Sequence, residues 1–418
     1  MGKLNIDSLK PGMVLAGDLL HVDGRHLLSK GVRLEANHLR ILRIWGVAAA
    51  EIEGISDSSR PPSLEEIAPA ILQRAEEFTQ KQFSHAQMDH PFLRELFRIC
   101  TLRRAQQMAL QETFGNGGES ADPGAAPTAA VKSVRASAIR YKDIASLLEG
   151  DVGLASLPHI FIEINRVISN PRSSAIHVAD VISKDPNLTA KLLRIVNSAF
   201  YGFPSKIDTI SRAVTILGSR QLSTLAVGTS VLEKFKDIPR DLVDMNSFWE
   251  HSVACGVAAR MIASYKNIIN TERLFVAGLL HDIGRLIIYK YLPQQGRQML
   301  LGAQRTDCLL RSAELEVLGF DHTQIGSMLT RKWKLPVILE QALGYHHQPL
   351  LSQHPQEASI INIADILINA LAIGSSGECF VPPLIPEVWS ELGLPVEILT
   401  RSVQLIDRQV TEVIHYFL

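Results

Sequence analysis

One short stretch of the chain combines a histidine, an aspartate and two glycines inside an apolar run. His281 and Asp282 are adjacent within residues 274–291, which have the length of a buried helix. A buried carboxylate is costly unless a cation or several donors meet it. Gly278 and Gly284 stand three residues either side of His281, and each costs a helix about 1 kcal/mol relative to alanine. A metal ion with further ligands would explain the stretch, and a helix-packing contact with an internally satisfied His–Asp pair is the alternative.

Further imidazole and carboxylate groups recur on other segments of the C-terminal half. Nearly all of them face inward when these segments are read as helices. The additional residues are His251, His322, His346, His347 and Asp365. Each alone is more often a satisfied core residue than a ligand, but together with His281 and Asp282 they exceed one tetrahedral site.

The chemistry of this set indicates a transition metal. Imidazole and carboxylate suit zinc, manganese, iron or nickel better than calcium. The set is large enough for two ions, which together activate a water and clamp a phosphate ester. Arg285, one turn after His281, is placed either to hold a phosphate oxygen or to form a salt bridge on the helix surface.

The segments that must position these residues are predicted to be helices. From about residue 136 to residue 418 the apolar periodicity is helical, and prolines divide it into short amphipathic pieces such as 157–168, 176–183, 188–196 and 210–217. These pieces are too short and irregular for a parallel sheet with crossovers. The fold class is therefore predicted as mainly α, an irregular helical bundle.

The N-terminal part reads differently. Residues 1–55 are predicted to form a small α+β module, with strands at 13–20 and 25–28 around the Asp23-Gly24 turn and a helix at 35–45. Residues 56–114 are predicted as a helical segment that packs on the main domain, forms a homodimer helix or connects modules. The Gly- and Pro-rich residues 115–135 are predicted to be a flexible linker. Residues 136–418 then form the main helical domain.

Composition narrows the classes of partner. The net charge is −1 without a block of one sign, so nothing indicates a nucleic-acid or anionic-membrane partner. The four cysteines are scattered and form no CxxC pair, which favours a reducing compartment. No signal sequence and no membrane span are evident, so we expect a cytoplasmic protein.

Several short stretches of the chain, in a fixed order, resemble the motifs of a known family. The chain reads DPNLT at 185–189, LLRIVNS at 192–198, AVTILG at 213–218, LLHDIG at 279–284 and LGFDH at 318–322, with Leu157-Pro158 before them and Trp333, Leu335-Pro336 and His346-His347 after. It resembles the HDOD family, the HD-related output domains within the HD superfamily of metal-dependent phosphohydrolases. LKPGM at 9–13 resembles the small domain that precedes some HD-GYP proteins.

The resemblance implies a ligand set. Four positions, His251, His281, Asp282 and Asp365, match those that bind metal in the HD superfamily. His322, His346 and His347 match further ligand positions of the HD-GYP branch. The chain departs from that branch after His347, where Gln348-Pro349 stands in place of the acidic and Gly-Tyr-Pro residues, and Arg285 stands where a lysine is usual.

These departures shape the expected function. Because HDOD domains are mostly regarded as regulatory, we expect a signalling protein that binds a metal, a nucleotide ligand or a protein partner, with weak or absent turnover. The alternative is a working phosphohydrolase or cyclic-dinucleotide phosphodiesterase, with Asp282 and Arg285 as its catalytic residues. A purely structural helical scaffold fits poorly with two aspartates in apolar helices.

Overall fold

A computed structural model describes residues 2–5, 9, 11–20, 26–35, 38–39, 42, 49–52, 67–113, 159–169, 173–198, 200–203, 205–232, 235 and 238–417. The fold is mainly helical, which confirms the predicted class. The predicted linker at 115–135 and the Asp23-Gly24 turn lie outside the described residues, and the domain boundaries stay predictions. No helix within the described ranges is long and apolar enough to cross a membrane.

The chain divides into two compact units. One unit comprises Met1–Ala75, Leu102–Asn116 and Tyr201–Pro204. The other comprises Glu76–Thr101, Gly117–Phe200 and Ser205–Leu418.

The first unit contains two small antiparallel sheets. Strand β1 (Gly2–Asn5) pairs with β4 (Ala49–Ile52), and β2 (Leu19–Leu20) pairs with β3 (His26–Leu28). The strand predicted over 13–20 is wrong in extent, because the chain changes partner within it. Leu15 bridges to Ile52 of β4, whereas Leu19 pairs with Leu28 of β3. A small core that includes the buried Leu15, Leu34 and Leu42 holds this module.

Two longer helices follow, α1 (Pro69–Gln82) and α2 (Pro91–Thr113). Each begins with proline, which suits the first helical position because its missing N–H has no helical partner there. In the first unit, the buried Ala75 and Ala105 belong to one core cluster, and Arg74 donates to Glu112 across 2.9 Å.

The second unit is a bundle of helices of 7 to 21 residues. In chain order these are α3 (His159–Ser169), α4 (Ala175–Ser183), α5 (Pro186–Val196), α6 (Ile210–Leu217), α7 (Ser219–Leu232), α8 (Met245–Tyr265), α9 (Thr271–Leu280), α10 (Ile283–Tyr291), α11 (Pro293–Thr306), α12 (Leu310–Leu318), α13 (His322–Lys332), α14 (Val337–Tyr345), α15 (Pro355–Leu371), α16 (Pro386–Leu392) and α17 (Leu399–Phe417). The four short helices predicted between residues 157 and 217 are present as α3 to α6, with bounds that differ by no more than two residues.

One helix prediction is wrong. Residues 274–291 were expected to form a continuous buried helix, but α9 ends at Leu280 and α10 begins at Ile283. His281 and Asp282 form the turn between them, and the Arg285 N–H donates to the Asp282 carbonyl at 2.9 Å. The apolar pattern continues across the turn because both helices are buried, so periodicity alone does not reveal the break.

Candidate metal centre

The turn between α9 and α10 brings two adjacent side chains to one place. On a continuous helix, neighbouring residues point about 100° apart. Here Asp282 has φ −95° and ψ 12°, outside regular helix, and His281 Nε2 lies 3.3 Å from Asp282 Oδ2. Both residues are buried, at 0% and 1% exposure.

The two glycines let neighbouring helices approach this turn. A Cβ atom at Gly278 would lie 2.7 Å from the carbonyl carbon of Cys255 on α8, and one at Gly284 would overlap the carbonyl oxygen of His322 on α13. The packing explanation for the glycines is therefore the observed one. It also serves the cluster, because α8 carries His251 and α13 begins at His322.

A first group of ligand-type side chains surrounds His281. Its other members are His251 from α8 and Asp365 from α15. Asp365 Oδ1 lies 3.4 Å from the Nε2 atoms of both histidines. The thiol of Cys255 lies 3.6 Å from His251 Nε2, and its Sγ belongs to the same possible ligand cluster.

A second group consists of three histidines from the start of α13 and the end of α14. His322 Nε2 lies 3.3 Å from His346 Nε2 and 3.3 Å from His347 Nε2. His322 and His346 are fully buried, and His347 is partly exposed. Three imidazole nitrogens so close together, without a proton or cation between them, would present their lone pairs to one another.

Asp282 stands between the two groups. Its Oδ2 atom faces His281 at 3.3 Å, and its Oδ1 atom faces His322 Nε2 at 3.0 Å. Each carboxylate oxygen thus faces one group, and Oδ2 also accepts from Arg285 NH1 at 2.8 Å. Asp282 is therefore the residue that could contribute to both groups. The structure brings together all seven residues that the sequence singled out as ligands.

The outer nitrogens of two histidines are held by backbone carbonyls. Nδ1 of His281 lies 2.7 Å from the Gly278 carbonyl, and Nδ1 of His346 lies 2.9 Å from the Leu343 carbonyl. A carbonyl oxygen only accepts, so these Nδ1 atoms carry a hydrogen, and Nε2 is the atom that would bind a metal once it carries no proton of its own. This is the common arrangement for histidines that bind metal. Consistent with it, His281 Nε2 is a buried polar atom without a hydrogen-bond partner among the described residues.

The negative charge of the buried carboxylates is balanced by histidine protons, which a metal ion could replace. Burial opposes protonation of His281, but the Asp282 and Asp365 carboxylates outweigh it and raise its pKa to about 10. Burial together with the nearby His281 and His322 lowers the pKa of His346 to about 3. In the absence of a cation, protons on selected histidines balance the carboxylates. A metal ion would take over that role and release those protons.

The comparisons with known proteins concern the family and the fold of the helical unit. The model of the HDOD domain matches residues 154–349. This region is an HDOD domain. The match includes the turn and the histidines of the second group, while Asp365 lies beyond its end. The resemblance to the HDOD family is confirmed, and the resemblance of residues 9–13 to a domain of HD-GYP proteins stays a prediction.

One protein of known sequence is similar to about half of this chain. A protein of Treponema pallidum (strain Nichols), named only as uncharacterized, is 28% identical over 222 residues, which are 51% of this chain and 41% of that protein. The chain therefore spans well under half of that relative's length.

Two crystal structures are also similar. An HDOD domain protein of unknown function from Geobacter sulfurreducens has a TM-score of 0.52 at 22% identity, covering 66% of this chain and 95% of its own. A candidate phosphohydrolase from Shewanella amazonensis SB2B has a TM-score of 0.52 at 23% identity, covering 66% and 98%. At such identities the likeness shows the fold alone.

Arg285 of the HDOD domain lies in a buried ionic network. Its NH1 donates to Asp282 Oδ2 at 2.8 Å and to Ser376 Oγ at 2.6 Å, and its Nε donates to Glu314 Oε1 at 2.9 Å. The salt-bridge alternative holds, although the arginine is only 3% exposed and does not lie on a helix surface. A phosphate-binding role stays a prediction, and it would require Arg285 to exchange these partners.

Sequence reasoning missed Glu314, which connects this network to the second group. Glu314 Oε2 accepts from the His322 backbone N–H at 2.9 Å and lies 2.6 Å from His322 Nδ1. Burial raises the pKa of its carboxyl, but His322 and Arg285 outweigh that effect and the net pKa is lowered. A signal was available, because Glu314 shares the buried face of α12 with Leu310 and Leu318.

Proposed function

We propose that this HDOD domain holds divalent transition-metal ions and acts as a regulatory module, passing a signal through a bound nucleotide or a protein partner. The observation that carries the proposal is the buried convergence of five histidines and two aspartates from separate parts of the helical unit. Burying such a set without a cation is costly. A cytoplasmic setting, favoured by the scattered cysteines, is part of this proposal.

The geometry suits two ions. His251, His281 and Asp365 would hold one ion, His322, His346 and His347 the other, and Asp282 would contribute an oxygen to each. Iron, manganese, zinc and nickel are the metals that fit these donors. When bound, such ions supply Lewis acidity and tie together helices that are distant in sequence. The chain's own contribution is the orientation of three imidazoles by their outer hydrogen bonds, those of His281, His322 and His346.

Two features favour regulation over turnover. Six of the seven ligand residues are buried, and His347 alone among them is partly exposed, so a phosphate ester has little access to the centre in this conformation. The guanidinium of Arg285 is committed to Asp282, Glu314 and Ser376, so it does not offer a free phosphate clamp. A hydrolase needs both access and a place for the phosphate.

The second candidate function is a metal-dependent phosphohydrolase or cyclic-dinucleotide phosphodiesterase. The observation in its favour is Asp282, whose two oxygens face the two groups. A bridging carboxylate between two ions is typical of centres that activate a water for attack on phosphorus. The Shewanella amazonensis protein, described as a candidate phosphohydrolase, is similar in fold.

A turnover assay separates the two candidates. The full chain is loaded with manganese, iron, nickel or zinc and incubated with cyclic dinucleotides, cyclic mononucleotides and nucleoside phosphates. The same nucleotides are tested for binding by equilibrium dialysis. We expect less than one turnover per chain with every metal. Multiple turnovers that disappear in both His281→Ala and Asp282→Ala would overturn the regulatory proposal in favour of the hydrolase.

A further inference from the structure

A cavity of about 340 Å³ lies in the helical unit at the start of α9 and of α14, beside α7. Ligand pockets in proteins range from about 300 to 1,000 Å³, so this volume suits a small molecule. Part of the lining is apolar and includes Val227, Leu335 and Leu339. The lining also carries Arg220 and Arg273 together with polar side chains. It therefore combines apolar surface with two arginines.

The charge of the cavity lining is positive. No acidic residue is among the described residues that line the cavity. Arg220 is exposed, and its guanidinium makes no ion pair with the described residues. Arg273 NH2 donates to Glu357 at 2.9 Å, but its buried Nε has no hydrogen-bond partner within the described part of the chain. After the Glu357 carboxylate is counted against one arginine, one positive charge remains for a ligand.

The N-terminus of α9 adds to the positive electrostatic potential of the cavity. Asn270, at the N-cap, has a left-handed backbone with φ 69° and makes no side-chain cap. Its carboxamide oxygen instead accepts from Gln221 Nε2 at 2.5 Å. The first N–H groups of α9 are thus without a side-chain acceptor, and a helix N-terminus favours an anion. Glu272 in the same turn lies 4.0 Å from Arg260 and does not line the cavity.

We infer that this cavity binds a small organic anion, a phosphate or carboxylate group attached to a compact apolar body. Arg220 and Arg273 bind the anionic group, and the apolar lining residues contact the body of the ligand. The two arginines supply charge-assisted hydrogen bonds, which are the stronger kind. The inference does not depend on whether the candidate centre holds a metal.

The position of this site connects it to the centre. α9 begins at the cavity and ends beside His281, and α14 begins at the cavity and ends beside His346. Helices of this length span about 14 Å. A bound anion would therefore contact the two helices that carry ligands of both groups, at the ends opposite the centre.

The test titrates phenyl phosphate, benzoate and inorganic phosphate into the full chain by calorimetry. We expect phenyl phosphate to saturate one site and to bind more tightly than inorganic phosphate, because its ring is buried against the apolar lining residues. Arg220→Ala should weaken this binding about tenfold to a hundredfold. Arg240→Ala, which removes an equally exposed arginine outside the cavity, is the matched control and should leave binding unchanged.

A second variant tests the volume without changing charge. Thr224→Trp fills the cavity and should abolish binding, with melting temperatures checked for both variants. Benzoate binding that is lost in the same variants, without phenyl phosphate binding, would identify the ligand as a carboxylate. Binding that responds to Asp282→Ala but not to Arg220→Ala or Thr224→Trp lies at the centre, and would overturn the inference. An absence of saturable binding for all three probes would also overturn it.

Discussion

His322 of the second ligand group and His251 of the first are held in different ways. In the second group, His322 is held by Glu314, which in turn pairs with Arg285. In the first group, the Nδ1 atom of His251 is buried without a hydrogen-bond partner in the described structure, and the thiol of Cys255 lies beside its other nitrogen. His322 is thus held by an ionic network, whereas the position of His251 depends on the packing of α8 against α9. Asp282 belongs to both groups.

The largest expected effect is on stability when both groups lose their ions. A ligand at about a thousand times its dissociation constant stabilises the folded state by about 4 kcal/mol. Chelator should therefore lower the melting temperature of the wild-type chain substantially, measured by calorimetry. Asp282→Ala, which serves both groups, should melt at a lower temperature that chelator does not change. A wild-type melting curve that is insensitive to chelator would contradict the shared centre.

The next largest effect on stability is expected from the two glycines that allow the ligand-bearing helices to pack closely. Gly278→Ala should push α8 away from α9, and Gly284→Ala should push α13 away from α10, because each added Cβ meets backbone atoms. Overpacking of this kind costs about 1 to 3 kcal/mol, measured by denaturant unfolding. Gly302→Ala on α11 is the control, since a Cβ there meets nothing within 4 Å and should stabilise the helix slightly. Equal stability of all three variants would refute the packing role.

A smaller effect should distinguish the groups directly. Glu314→Gln removes the carboxylate behind His322 while keeping its shape, and loss of such outer partners typically weakens metal binding by about 10- to 100-fold. We expect this loss for one of two ions only, measured by competition with a coloured chelator. Glu316→Gln, two residues away on the same helix and not buried, is the matched control. If Glu314→Gln weakens both ions equally, the groups are not oriented independently.

The smallest effect should come from Cys255. Burial and the Asp365 and Asp282 carboxylates raise the pKa of its thiol, so it remains a neutral neighbour of the first group rather than a strong ligand. Cys255→Ala should therefore change zinc affinity by less than about tenfold, which corresponds to about 1.4 kcal/mol. His251→Ala in the same titration should abolish one ion. A collapse of zinc binding in Cys255→Ala, with manganese binding retained, would make the thiol a ligand.

Much of the fold could be read from the sequence, and the exceptions have a common cause. The short helices α3 to α6 followed from amphipathic periodicity and proline positions. The break at His281-Asp282 did not, because both flanking helices are buried and the apolar pattern runs through the turn. The strand at 13–20 was predicted too long, because a change of pairing partner leaves no mark in local alternation.

In the candidate centre too, residue types could be predicted from the sequence, whereas contacts between helices could not. Residue type and apolar surroundings identified seven ligand-type residues but not Cys255 as a member of the cluster. The division into two groups depends on how helices pack, which spacing along the chain does not give. Arg285 is the clearest case. Its partners Glu314 and Ser376 are 29 and 91 residues away, so sequence alone left its role open between two alternatives.

Elemental analysis of the full chain, purified without chelator, tests the central claim most directly. The wild type and Asp282→Ala are prepared side by side, with Asp180→Ala, an exposed aspartate outside the centre, as control. We expect about two transition-metal ions per chain in the wild type and the control, as two ligand groups would hold, and almost none in Asp282→Ala. A metal-free wild type, even after incubation with manganese, iron, nickel and zinc, would contradict the account, as would an Asp282→Ala chain with its full metal content.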